Sequence, residues 1–73
     1  MKIYILTCVN EEGRAVSAEP FKSFADAAGA MRRKYYAEAE DYDEENRGYV
    51  ADMTAFVGNE EYRYFWQIHE TEL

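Results

Sequence analysis

One cysteine (Cys8), one proline (Pro20), one histidine (His69) and four glycines are all that the 73 residues contain of the types that staple, break or bend a small protein. A lone cysteine excludes an intrachain disulfide and every cysteine-based metal motif, and a reducing compartment is its simplest setting. No P-loop, dinucleotide fingerprint or Gly-rich oxyanion loop can be assembled from the scattered glycines. Long apolar runs are missing too. The amino terminus, MKIYILTCVNEEGR, reaches Asn10, Glu11 and Glu12 before it could form a signal-peptide core, and nothing approaches the roughly 20 apolar residues of a spanning helix. These absences lead us to expect a soluble, cytoplasmic protein without membrane contact.

Basic residues are also scarce, eight against fifteen acids, for a net charge of −7. Glu38, Glu40, Asp41, Asp43, Glu44 and Glu45 place six carboxylates within eight positions and leave the remainder near neutrality. A field of that sign repels nucleic acid and anionic membrane and attracts basic partners. Aromatic residues are abundant instead: seven Tyr, four Phe and one Trp. Each can bury about 150–250 Å². A chain of this length forms one domain, residues 1–73, that buries only about 60% of its unfolded surface.

Periodicity is clearest from Ser23 to Asp43. Phe24, Ala28, Met31, Tyr35, Ala39 and Tyr42 recur at three- and four-residue steps and predict the one long helix, with Ser23 as N-cap and Asp26 completing a capping box. Lys2 to Val9 reads as a strand that is apolar on both sides, Ile3, Ile5 and Val9 on one and Tyr4, Leu6 and Cys8 on the other. Asn10 to Gly13 is a tight turn, followed by a short strand from Arg14 to Ala18 that Pro20 confines to an edge and ends. Gly48 is expected to cap the helix. Tyr49 to Val57 alternates as a third strand, Gly58-Asn59 turns, and Tyr62 to Glu70 forms the last strand.

The order is strand, strand, helix, strand, strand, an α+β fold with a four-stranded, mainly antiparallel sheet. Two hairpins joined by one crossing helix resemble the β-grasp arrangement. That resemblance implies strand order 2-1-4-3, with the first and last strands parallel at the centre and the helix across one face. One helix leaves the other face bare, with either Ile3, Ile5 and Val9 or Tyr4, Leu6 and Cys8 on it near Phe65, Val50 and Phe56, and a homodimer through an apolar surface that includes Leu6, Phe56 and Phe65 is one way to cover it.

For catalysis, Cys8 and His69 are the one nucleophile–base pair that parallel terminal strands could bring together, without an Asn or Asp to orient the imidazole. A buried thiol and a surface histidine are the simpler assignment, and no enzymatic activity is expected. Asp41, Asp43, Glu45 and Asp52 have some of the spacing of a calcium loop, but Asn46 stands where the turn needs glycine. No metal or other cofactor is expected. Arg32, Arg33 and Lys34 form the only basic cluster, read as offsetting nearby carboxylates, Lys34 with Glu38 for example, so direct nucleic-acid binding is not expected.

The acidic run from Glu38 to Glu45 is the candidate binding feature. Small size, acidity and this fold type resemble the inhibitors encoded by phages and other mobile elements, anti-CRISPR proteins among them. The resemblance implies a nucleic-acid mimic whose carboxylates occupy the basic surface of a nucleic-acid-binding protein. The alternative is a self-associating structural protein.

Overall fold

The computed structural model describes all residues from Met1 to Leu73. The chain forms β1 (Lys2–Val9), β2 (Ala15–Phe21), α1 (Phe24–Ala39), a single 3-10 turn (Glu44–Asn46), β3 (Tyr49–Val50), β4 (Thr54–Gly58) and β5 (Arg63–Glu72). All five strands join one sheet in the order β2-β1-β5-β4-β3, and every neighbouring pair is antiparallel. The α+β class, the single helix and the adjacency of the first and last strands agree with the sequence.

Strand count and strand direction do not. The expected third strand is broken between Val50 and Thr54, where Asp52 and Met53 form a two-residue turn and the Ala51 amide donates to the Thr54 carbonyl at 2.8 Å. This adds one reversal to the chain. With an even number of strands after the helix, the last would run parallel to β1; with three, β5 runs antiparallel to it, Leu6 opposite Ile68 and Cys8 opposite Trp66. The termini therefore meet, and the Leu73 amide donates to the Met1 carbonyl at 2.8 Å.

α1 starts as expected. Ser23 is extended, and its hydroxyl accepts from the Asp26 amide at 3.1 Å. Ala27, Ala28, Ala30, Met31, Tyr35 and Ala39 are buried, and the alanines let the helix sit close to the sheet. Phe24 lies at the margin, edge-on to Tyr4 at 5.9 Å. The helix ends at Ala39, earlier than the periodicity suggests, and Tyr42 packs on the core from the turn beyond. Carboxylates at the negative end of a helix dipole oppose its extension. The compensating cation comes from outside the helix: Arg47 Nε donates to the carbonyls of Ala39 at 3.2 Å and Tyr42 at 3.3 Å. Its own carbonyl accepts from the Tyr35 hydroxyl at 2.6 Å.

Gly48 consequently has a different task from helix capping. It takes φ +61° ahead of β3, where a Cβ would meet the Phe56 carbonyl oxygen at 2.1 Å. β2 runs through Pro20 to Phe21, which an edge strand allows because a missing N–H there need not interrupt a ladder.

The core lies between α1 and one sheet face. Leu6, Met31 and Val57 are its most completely buried large side chains, joined by Cys8, Ala55, Trp66 and Ile68, with Tyr4, Val50 and Tyr64 packed against them. Leu6 and Val50 thus belong to the covered face and cannot contribute to an exposed interface. Phe56 and Phe65 stay half-buried on the opposite face. Lys34 pairs with Glu19 of β2 at 2.9 Å rather than with Glu38, tying the helix to the sheet edge.

Replacing Met31 with alanine is expected to lower stability in urea unfolding by about 2–5 kcal/mol. Arg32→Ala, on the solvent side of the same turn, should change it by less than about 0.5 kcal/mol. Comparable losses from the two would contradict this helix orientation.

Candidate functional site

Two asparagines organise the loops at the α1 C-terminal end of the sheet. Asn10 Oδ1 accepts from the amides of Glu12 and Arg14 at 3.0 and 3.1 Å, and Asn59 Oδ1 accepts from those of Glu61 and Tyr62 at 2.9 Å each. Arg63 joins the loops by donating to the Glu11 carbonyl at 3.2 Å and the Glu60 carbonyl at 3.5 Å. The turn after α1 reaches the same place, where the Tyr42 hydroxyl donates to the Tyr62 carbonyl at 3.3 Å. The fold therefore adds Glu11, Glu12, Glu60 and Glu61 to the acidic run at one pole of the molecule.

A cleft of about 370 Å³ opens there, lined by Glu38, Asp41, Tyr42, Asp43 and Asn46 from α1 and the turn after it and by Asn59, Tyr62 and Tyr64 from the β4–β5 loop and β5. None of the six carboxylates of the run has an ion-pair partner; the acids that do are Glu12, Glu19, Glu70 and Glu72. The run is divided in space. Glu40 lines a separate hollow beside Tyr35, Tyr36 and Arg47, while Glu44 and Glu45 sit exposed on the 3-10 turn.

The tyrosines register the local field. Tyr64 has its pKa raised, first by the Glu38 carboxylate and then by burial and Glu11. Tyr42 is raised too, mainly by burial, with Glu38, Tyr64, Glu11 and Asp41 adding to it. A second negative charge among these groups is disfavoured, and a positive one is favoured. Carboxylates accept charge-assisted hydrogen bonds from guanidinium and ammonium groups, and tyrosine faces attract cations.

No protein family matches the chain, and neither does any curated protein or solved structure.

Cys8 and His69 are not brought together. Cys8 is buried beneath α1, and His69, in register with Ile5, lies on the opposite face, its Nε2 3.1 Å from Thr7 Oγ1. Burial raises the thiol pKa from 9.0 to about 11, with Lys34 lowering and Glu38 raising it. A protonated, enclosed thiol is not a nucleophile at neutral pH. Nor do Asp41, Asp43, Glu45 and Asp52 converge: no group of three or more His, Cys, Asp or Glu side chains could hold a metal ion. Sequence reasoning found the acids of the cleft but missed Tyr62, Tyr64, Asn59 and Glu11 as their neighbours, because these come from separate segments; Tyr42 and Asn46 lie in the acidic segment itself, where Tyr42 read as part of the helix stripe. The one available signal was Asn59 after a glycine, which fixes the loop that carries Tyr62.

Two titrations follow. The unfolded chain loses the Cys8 proton before the folded chain does, so stability should fall as pH rises from 9.0 toward about 11. In Cys8→Ala this component of the fall should be absent, as urea midpoints at successive pH values will record. Glu38→Gln should lower the Tyr64 pKa in an alkaline NMR titration; an unchanged value would remove Glu38 from the cleft.

Proposed function

We propose that this chain is a non-enzymatic binding module that takes arginine and lysine side chains of a protein partner into the acidic cleft. One observation carries the reading: Glu38, Asp41 and Asp43 are free of ion pairs and share one open cleft with Tyr42, Tyr62 and Tyr64. Guanidinium groups entering the cleft would gain bidentate carboxylate bonds and a π-face in the same step. Glu40, Glu44 and Glu45 lie outside the cleft and add to the negative field that steers a basic surface toward this pole.

An arc of carboxylates with this spread can stand in for phosphates along a nucleic-acid strand. The partner in this reading is a nucleic-acid-binding protein, and the module is an inhibitor of the kind mobile elements encode. Affinity in such a pairing falls with salt, since exposed charges are screened beyond about 8–10 Å at physiological ionic strength.

The test uses a fluorescent arginine-rich peptide and two triple variants with the same change in net charge. Glu38→Gln with Asp41→Asn and Asp43→Asn should weaken binding at least tenfold, while Asp52→Asn with Glu70→Gln and Glu72→Gln should stay within twofold of the unaltered chain. Equal losses would mean that net charge, not the cleft, binds the peptide, and the site would be rejected.

A further inference from the structure

The sheet face away from α1 has no cover, and its residues fall into rows that cross the strands. Val9, Phe65, Phe56 and Tyr49 are successive partners from β1 through β5 and β4 to β3, with Tyr49 and Phe56 stacked at 6.3 Å. A second row runs Ala18, Thr7, Gln67, Thr54, and beyond it Ile5 lies between Pro20 and His69. Although the chain has fifteen acids, the registers put none of them on this face; its only basic groups are Arg63 and His69. Glu19, Glu70 and Glu72 all alternate to the helix side. An apolar row, Val9, Phe65, Phe56 and Tyr49, beside an uncharged polar row, with every acid excluded, has the composition of an interface centre with a polar rim.

We infer that this face is the contact surface of a homodimer in which two copies stack sheet against sheet with their strands running in opposite senses. Three observations select a second copy. The first is area: the molecule measures 40 × 22 × 14 Å, so its broad side is large enough to accommodate the roughly 800 Å² per partner that stable interfaces bury. The second is charge. A twofold axis across the strands sends the two acidic poles to opposite ends, several screening lengths of about 8 Å apart, whereas an axis along the strands would bring them together. The third is that the edges are closed to association. β2 carries Pro20 and Glu19, and β3 is two residues long, so neither edge accepts an added strand and the face is the route left.

A single-stranded RNA could also stack bases on Phe65, Phe56 and Tyr49. That mode needs cations along the backbone path. This face supplies Arg63, already held by two loop carbonyls, and His69, on a chain of net charge −7. The second copy is therefore the occupant the charges favour.

Sedimentation equilibrium from micromolar to millimolar protein at physiological salt should give a mass approaching twice 8.6 kDa. Phe65→Glu should raise the dimer dissociation constant at least a hundredfold while near-ultraviolet dichroism of Trp66 stays native. Should that variant unfold, Gln67→Glu, at an already exposed position, should raise the constant at least tenfold. A single-chain mass throughout the range overturns the inference, as does a dimer indifferent to whichever variant is folded. So does an RNA oligomer that binds the face and displaces the second copy. The cleft variant Glu38→Gln with Asp41→Asn and Asp43→Asn should leave the dimer intact, so the two surfaces fail or stand separately.

Discussion

The joint burial of Met31, Leu6 and Val57 in one core between helix and sheet is the constraint on which the rest of this molecule depends. With only one helix, this protein can enclose only one side of its sheet, and these three side chains decide which. Each contributes roughly 1.5–3 kcal/mol by leaving water, a large share of the 5–15 kcal/mol by which small domains are stable. Once Leu6 points at the helix, Cys8, Trp66 and Ile68 follow by strand alternation and pairing, and Ile5, Phe65 and Phe56 are committed to the other side.

That division also settles where charge can go. No acid is buried. Carboxylates excluded from both the core and the open face collect in the loops and at the end of α1. There they would repel one another and weaken the helix terminus, were it not for Arg47 donating to the free carbonyls of Ala39 and Tyr42. The acidic pole is thus held by a cation that bonds to backbone oxygens and leaves the carboxylates of the run without ion pairs. The proposed binding at the pole and the proposed association across the sheet both rest on one segregation of residue types.

Much of this was legible in the sequence, and the misses have identifiable causes. Ser23 and Asp26 marked the helix start because capping is local chemistry. The turn at Asn10–Gly13 was visible for the same reason, Gly13 having φ +76°. The reversal at Asp52–Met53 was hidden because neither residue is glycine, asparagine or proline, and no non-glycine residue there or elsewhere takes positive φ. Missing it inverted the direction of β5. β1 is apolar on both sides, so its alternation alone could not say whether Leu6 or Ile5 met the helix, and Leu6 was assigned to an open surface it does not share. Arg47, Glu19 and the cleft tyrosines act across the fold rather than along the chain, beyond the reach of any local pattern.

The orientation of the sheet under the helix is the central claim, and nuclear Overhauser contacts from the Met31 methyl test it directly. Met31 shares the core with Leu6, Val57 and the other side chains of the covered face, so its contacts should fall among these and none on Ile5 or Phe65. Contacts from Met31 to Ile5 or Phe65 would place the helix on the other face, and both the core described here and the acid-free surface would have to be abandoned.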